Sequence, residues 1–346
     1  MAILKVIYFT GGALLFSILA TGMLRQYSIR HSLLDIPNER SSHSTPTPRG
    51  GGLAIVLPVL TCTVLLYYLG LLPVSIVVAF VGGGILVSLT GWLDDHYDIP
   101  EIWKAICYVT AATWAVYWLD GMAALKIGDA VITLNFAGGI LAILACAWLI
   151  NLYNFMDGTD ALAALQAICT GAFSGFLLMT MGRQDLAIIC FVITTASIGF
   201  LYWNWPPAKI FMGDVGSCFI GFSFGVLAIS GEKGGVLPAL VWFILLSVFI
   251  CDATLTLFLR ILKKEKWYSA HRSHAYQRLV QMGASHAHLA VCVLLINVIF
   301  LWPIAYIAWR WQQFSLPVLA LTVLIMCLLW GIIQWRFTGL SADTNG

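Results

Sequence analysis

The stretch Thr133-Leu-Asn-Phe-Ala-Gly-Gly-Ile-Leu-Ala-Ile-Leu-Ala-Cys-Ala-Trp-Leu-Ile-Asn151-Leu-Tyr-Asn154-Phe-Met-Asp157-Gly-Thr-Asp160 decides the fold. Residues 133 to 151 carry no charge, and a helix of about 20 apolar residues is what a bilayer core requires. Immediately after comes a polar stripe, because Asn151, Asn154, Asp157 and Asp160 recur every third residue. A membrane span therefore delivers two acids and two amides to the bilayer surface. No basic residue lies between 127 and 182, so this stripe is incomplete without a metal or ligand, and its hard oxygen atoms suit Mg²⁺.

Ten further runs are nearly uncharged: about 3 to 24, 51 to 70, 74 to 93, 104 to 120, 161 to 181, 186 to 202, 217 to 231, 236 to 258, 288 to 308 and 314 to 334. With the first they predict an all-α polytopic membrane protein of about eleven helices, a single domain over 1 to 346. The first run exceeds a signal-peptide core and reads as a retained span. Composition agrees, since the chain is 60% hydrophobic and 10% charged, against about 25% charged in soluble domains. A formal net charge of +2 leaves no footprint for nucleic acid. The nine cysteines show no paired spacing and read as small apolar side chains.

Eleven spans put the termini on opposite sides. Of the 18 Lys and Arg, 13 fall in odd connectors and the C-terminal tail and 5 in the N-terminus and even connectors, so the odd connectors face the cytoplasm. The N-terminus is then periplasmic and the C-terminus cytoplasmic. All seven histidines, and 12 of the 16 acids when Asp252 is included, sort to the same inner side. One-sided polar chemistry points to a site at the cytoplasmic membrane surface. A transporter or flippase for an anionic lipid or nucleotide-sugar would share the spans, yet it predicts ionisable groups near the midplane, where few occur.

Four other inner segments carry chemistry. Asp94-Asp95-His96-Tyr97-Asp98 places three mutually repelling carboxylates in five residues, a cost that a cation offsets. Pro206-Pro207-Ala-Lys209-Ile-Phe-Met-Gly213-Asp214-Val-Gly216-Ser217 holds one acid between glycines, with Ser217 a candidate cap for a helix whose start would attract phosphate. His271-Arg272-Ser273-His274 suits phosphate oxygens better than zinc, for which no third ligand lies nearby. Arg49 precedes Gly50-Gly51-Gly52, whose backbone amides could approach an anion.

In order, the segments DIPNERSSHSTPTPRGGG, LDDHYD, NLYNFMDGTDAL, KIFMGDVGS and HRSHAYQRL resemble the polyprenyl-phosphate N-acetylhexosamine-1-phosphate transferase family, over residues 35 to 278. The resemblance implies transfer of a sugar 1-phosphate from a UDP-N-acetylhexosamine to undecaprenyl phosphate at the bacterial inner membrane, with release of UMP. It further implies Mg²⁺, or Mn²⁺ in its place, held by Asp214 with Asp94, Asp95 and Asp157. Asp94, Asp95, Asp98, Asp157 and Asp160 are the implied catalytic acids. Arg49, Asn154, Lys209, His271, Arg272 and His274 are the implied substrate contacts. Membrane lipids are the surroundings, and a homodimer is compatible. Asp98 and HRSHAYQ depart from the peptidoglycan branch, which typically has lysine and three histidines there. They align the chain with enzymes that initiate O-antigen or related surface polysaccharide, and the second segment inclines the donor to a 6-deoxy sugar.

Overall fold

The computed structural model describes residues 2 to 37, 45 to 128, 130 to 266 and 271 to 343. The central part of the first inner connector, Asn38 to Ser44 with His43, lies outside them, as does Trp267 to Ala270. Every apolar run forms helix. The elements are α1 (Ala2–Arg30), α2 (Leu53–Tyr68), α3 (Val74–Tyr97), α4 (Glu101–Trp118), α5 (Asn135–Phe155), α6 (Leu162–Thr180), α7 (Gln184–Asn204), α8 (Asp214–Lys233), α9 (Ala239–Leu245), α10 (Ser247–Leu262), α11 (Ala275–Gln281), α12 (His286–Leu295), α13 (Trp302–Arg310) and α14 (Ser315–Asp343). Two antiparallel pairs complete the chain: β1 (Leu34–Asp35) with β2 (Thr47–Pro48), and β3 (Ala124–Ile127) with β4 (Ala130–Thr133). All nine cysteines are free.

Among the described residues eight helical rods are long and apolar enough to cross a membrane, or nine if the bent pair α9–α10 counts as one span. Helix α2 is shorter, at 16 residues. The protein is a multi-pass membrane protein.

Helix α8 lies at the centre. It is apolar or small on all sides and almost wholly buried, as expected of a helix hydrophobic all round. Helices α3 and α5 flank it, α1 runs along α7, and α14 packs on α10 and α11. The run 236 to 258, expected as one span, is instead broken at Leu246 by 79°. No Pro or Gly occurs from 239 to 262. The local reason is a side chain that enters the hydrogen-bond ladder: buried Gln166 donates to the Leu245 carbonyl at 2.8 Å and pairs with Asn297. Asn297 itself stands in a π-helical turn, Ile296–Leu301, between α12 and α13.

Candidate active site

The segments singled out in the sequence meet at one end of the bundle: the C-terminal ends of α3 and α5, the N-terminal end of α8, and the connectors before α2 and α11. The joint between α3 and α8 is made by Asp95. Its buried carboxylate accepts from the amides of Asp214 at 3.2 Å and Val215 at 3.4 Å, while Arg49 is the basic group facing it. Helix α8 starts at Asp214 with Gly213 as its cap, which corrects the expectation for Ser217. Ser217 lies in the first turn, where its hydroxyl donates to the Gly213 carbonyl and accepts from Asn154 at 3.4 Å.

The three-glycine segment also does something other than expected. The amides of Gly51 and Gly52 donate to Phe211 and Met212, and the amide of Phe211 donates to Pro48. These amides are therefore taken up by pairing with the loop before α8 rather than turned toward an anion. A side chain on Gly52 would lie 2.3 Å from the Gly216 Cα, so glycine is required by close approach of two backbones. Arg49 faces Asp95, and its buried Nε has no hydrogen-bond partner among the described residues.

The carboxyls of Asp94, Asp95 and Asp214 lie together, and Asp157 joins them from the end of α5. Burial, then the nearby Asp214, Asp95 and Asp160, push the Asp157 carboxyl well above the usual carboxylate range. Asp94 is partly neutralised. Ile99 donates its amide to Asp94 at 2.7 Å, and Lys104, which also pairs with Glu101, reaches it at 3.1 Å. Lys104 was not evident in the sequence because it stands ten residues away, at the start of an apolar run. Among the described residues no N–H or hydroxyl donates to the side chains of Asp157 or Asp214.

Asp160 is buried and tied down. It accepts from the Ala208 amide at 3.0 Å and lies 3.2 Å from His286 Nδ1, joining the loop before α6 to the Pro-Pro loop and to α12. Asn204 completes that junction, accepting from the Ala161 amide and donating to Ile210. Two expected residues stand apart from the acids. Asp98 is exposed at the left-handed end of α3, with φ +46°; its amide donates to the Asp94 carbonyl at 3.2 Å, but among the described residues its side chain hydrogen-bonds none of them. Lys209 is exposed, its ammonium 5.9 Å from the Tyr202 ring centre and 5.6 Å from that of Trp203.

The connector before α11 folds against α5. The Tyr276 hydroxyl donates to the Phe155 carbonyl at 2.9 Å, and a Cβ at 158 would crowd that oxygen and displace it. His274 is buried, 4.9 Å from His271 and stacked on Tyr276. Burial, with His274 and Arg260 nearby, lowers the His271 imidazole to about 4. It is neutral at pH 7.

A match to glycosyl transferase family 4 covers residues 77–232. The decaprenyl-phosphate N-acetylglucosaminephosphotransferase of Mycolicibacterium smegmatis is 33% identical over 309 residues, 80% of this chain and 75% of that protein. The chain belongs to glycosyl transferase family 4. It is a phosphotransferase. A probable undecaprenyl-phosphate N-acetylglucosaminyl 1-phosphate transferase of Bacillus subtilis is 29% identical over 83% of this chain and 81% of its own. The undecaprenyl-phosphate alpha-N-acetylglucosaminyl 1-phosphate transferase of Escherichia coli K12 is 26% identical over 81% and 78%. The matched segment 77–232 spans Asp94 to Asp214 and so contains all five clustered acids.

The acid cluster fits a divalent cation. Its donors are carboxylate oxygens, and among the described residues no N–H donates to the side chains of Asp157 or Asp214. Among the described residues no group of three or more His, Cys, Asp or Glu side chains is placed to hold a metal ion. An open set of one or two carboxylates is how Mg²⁺ is usually held, with substrate phosphates completing the shell.

Proposed function

We propose that this phosphotransferase moves an N-acetylhexosamine 1-phosphate from a UDP-sugar to undecaprenyl phosphate at the cytoplasmic face of the bacterial inner membrane, beginning an O-antigen or related envelope polysaccharide. The observation that carries the reading is the meeting of Asp157, Asp214, Asp94 and Asp95 from three separate motifs at one end of the bundle. The names of the relatives support the lipid phosphate acceptor and an N-acetylated sugar. A cavity of about 190 Å³ lined by Leu149, Ala228, Trp242, Phe243 and Ile250 is apolar and suits an isoprenoid chain.

In this reading an oxygen of the lipid phosphate attacks the donor phosphorus that bears the sugar. The P–O bond to the bridging oxygen breaks, and its electron pair leaves with UMP. A phosphomonoester with a second pKa of about 6 is already mainly dianionic at pH 7, so no side chain need remove a proton. What the residues supply is position and charge. Asp214 and Asp157 would hold Mg²⁺, which when bound would neutralise charge on the donor phosphates, with Asp94 beside Asp214. Asp95 holds α3 to α8. Arg49, with its unpartnered Nε, Arg272 and His274 contact phosphate oxygens, and Asn154 on α5 reaches Ser217 at the start of α8. Lys104 pairs with Asp94 beside Asp214 and places a positive charge there.

The test is to give purified protein undecaprenyl phosphate, Mg²⁺ and, in parallel, UDP-N-acetylglucosamine, UDP-N-acetylgalactosamine and a 6-deoxy UDP-N-acetylhexosamine. The expected product is undecaprenyl-diphospho-sugar with equimolar UMP. The relatives' names favour N-acetylglucosamine, the HRSHAYQ form a 6-deoxy sugar, and relative kcat/KM ranks them. Release of sugar without lipid product would overturn the reading.

A further inference from the structure

Asp252 is a lone acid inside the apolar helix α10, and burying an unpaired carboxylate is costly. The structure shows what compensates it. Its Oδ1 accepts from the Ala275 amide at 2.7 Å and the Thr256 hydroxyl at 3.2 Å, and its Oδ2 accepts from the Tyr276 amide at 3.2 Å. His274 Nδ1 is 3.6 Å from Oδ1. Thr256 is in turn held by the indole N–H of Trp330 on α14, at 3.1 Å, and Gln334 of the same helix donates to the Ser273 carbonyl at 3.2 Å. The acid therefore grips the backbone on the C-terminal side of His274 while α14 braces both the acid and the preceding residue.

That grip reaches the acid cluster. Tyr276, whose amide is bound by Asp252, donates its hydroxyl to Phe155, two residues before Asp157. Hydrogen bonds to a carboxylate are about twice as strong as neutral ones, so loss of the charge should loosen the whole connector. Small displacements of phosphate-binding groups are costly because their benefit depends on geometry.

We infer that Asp252 is a positioning residue for the donor: it fixes residues 274 to 276 against the end of α5, so that His274 and its neighbours meet the donor's phosphates beside Asp157. The inference rests on the proposed function for the identity of the donor, and its structural part stands without it.

The test compares Asp252→Asn with the parent enzyme. Asparagine keeps the size but presents an NH₂ group to one of two backbone N–H donors. The KM for the UDP-sugar should rise tenfold or more, with the KM for undecaprenyl phosphate within twofold and kcat reduced less than threefold. General damage would instead lower kcat with both KM values unchanged, and that result would overturn the inference, as would three unchanged parameters. Hydrogen exchange of the full chain in detergent gives a readout independent of turnover. The amides of Ala275 and Tyr276 should exchange at least tenfold faster in the variant while those of α8 do not change; equal exchange would overturn the inference even if the donor proved to be something else. Tyr276→Phe keeps the ring stack and removes only the bond to Phe155. It should raise the donor KM three- to tenfold, and serves if the first variant does not fold.

Discussion

The carboxylate of Asp95 receives the backbone amides of Asp214 and Val215, so one acid from the paired Asp94-Asp95 is the clasp that seats the other half of the site. Two aspartates in neighbouring motifs thus have different duties. Asp95 is held by donors, whereas Asp214 lies against Asp94 with no donor of its own among the described residues.

Opposite signatures follow for the two asparagine variants. Asp95→Asn leaves one buried amide facing an NH₂ group, which costs about 1–3 kcal/mol. Its melting temperature in detergent should fall together with activity. Asp214→Asn should keep the parent melting temperature and lose at least a hundredfold in turnover. Near-normal activity of Asp214→Asn would shift the principal metal-holding role to Asp157.

Gly52 and Gly139 separate close approach from simple helix propensity. At Gly52 a methyl group would collide with the Gly216 backbone, whereas nothing lies within 4 Å of one at Gly139 in α5. Gly52→Ala should destabilise by about 3 kcal/mol, the upper range for forced overpacking. Gly139→Ala should be neutral or stabilising by up to about 1 kcal/mol. Thermal melts of the two proteins in one detergent check both.

The pH behaviour of the inner connector depends on His271. Its folded value, about 4, lies below the ordinary 6.5, so the unfolded chain binds more protons between those values. Stability from this group is complete above pH 6.5 and is lost as pH falls toward 4. Titration of ¹⁵N-labelled histidine, assigned with His271→Gln, should show no inflection for His271 above pH 5. The same substitution should flatten the decline in melting temperature between pH 6.5 and 5.

Removal of divalent cations should abolish turnover, and Mg²⁺ or Mn²⁺ should restore it. Asp157→Asn should raise the Mg²⁺ concentration giving half-maximal rate by tenfold or more, because a carboxylate without protein donors is removed from the cluster. An unchanged Mg²⁺ requirement would take Asp157 out of the cation's shell.

The apolar runs and the five polar segments were legible because each is local: charge-free length marks a span, and spacing marks a stripe. What joins them was not. Asp95 finds its donors 119 and 120 residues away, Asp252 finds its own 23 and 24 residues on, and Asp160 meets His286 across 126 residues. No local pattern encodes such pairings. The uncharged run 236 to 258 carries no local sign of its break, since Ile244 to Phe249 contains neither Pro nor Gly; the break depends on Gln166, from another helix. Asp252 did leave a signal, since a lone acid within an apolar run has to find partners. Asp98 and Lys209 looked equivalent to their neighbours in sequence, and only the end of α3 and the aromatic pair at 202 and 203 show them facing away.

Orientation rests on the distribution of Lys and Arg. A reporter fused after Gly283, beyond α11, should give a cytoplasmic signal, and a periplasmic one would place the acid cluster on the wrong side for a nucleotide-sugar.

The central claim is direct exchange of a phosphosugar between two phosphates, and reversal tests it most directly. One phosphoanhydride is broken and another is made, so the equilibrium constant should lie near unity. Given purified undecaprenyl-diphospho-sugar, Mg²⁺ and UMP, the enzyme should regenerate the UDP-sugar, and a uridine mimic should block both directions. Failure of UMP to drive the reverse reaction, in a preparation that carries out the forward one, would contradict the account.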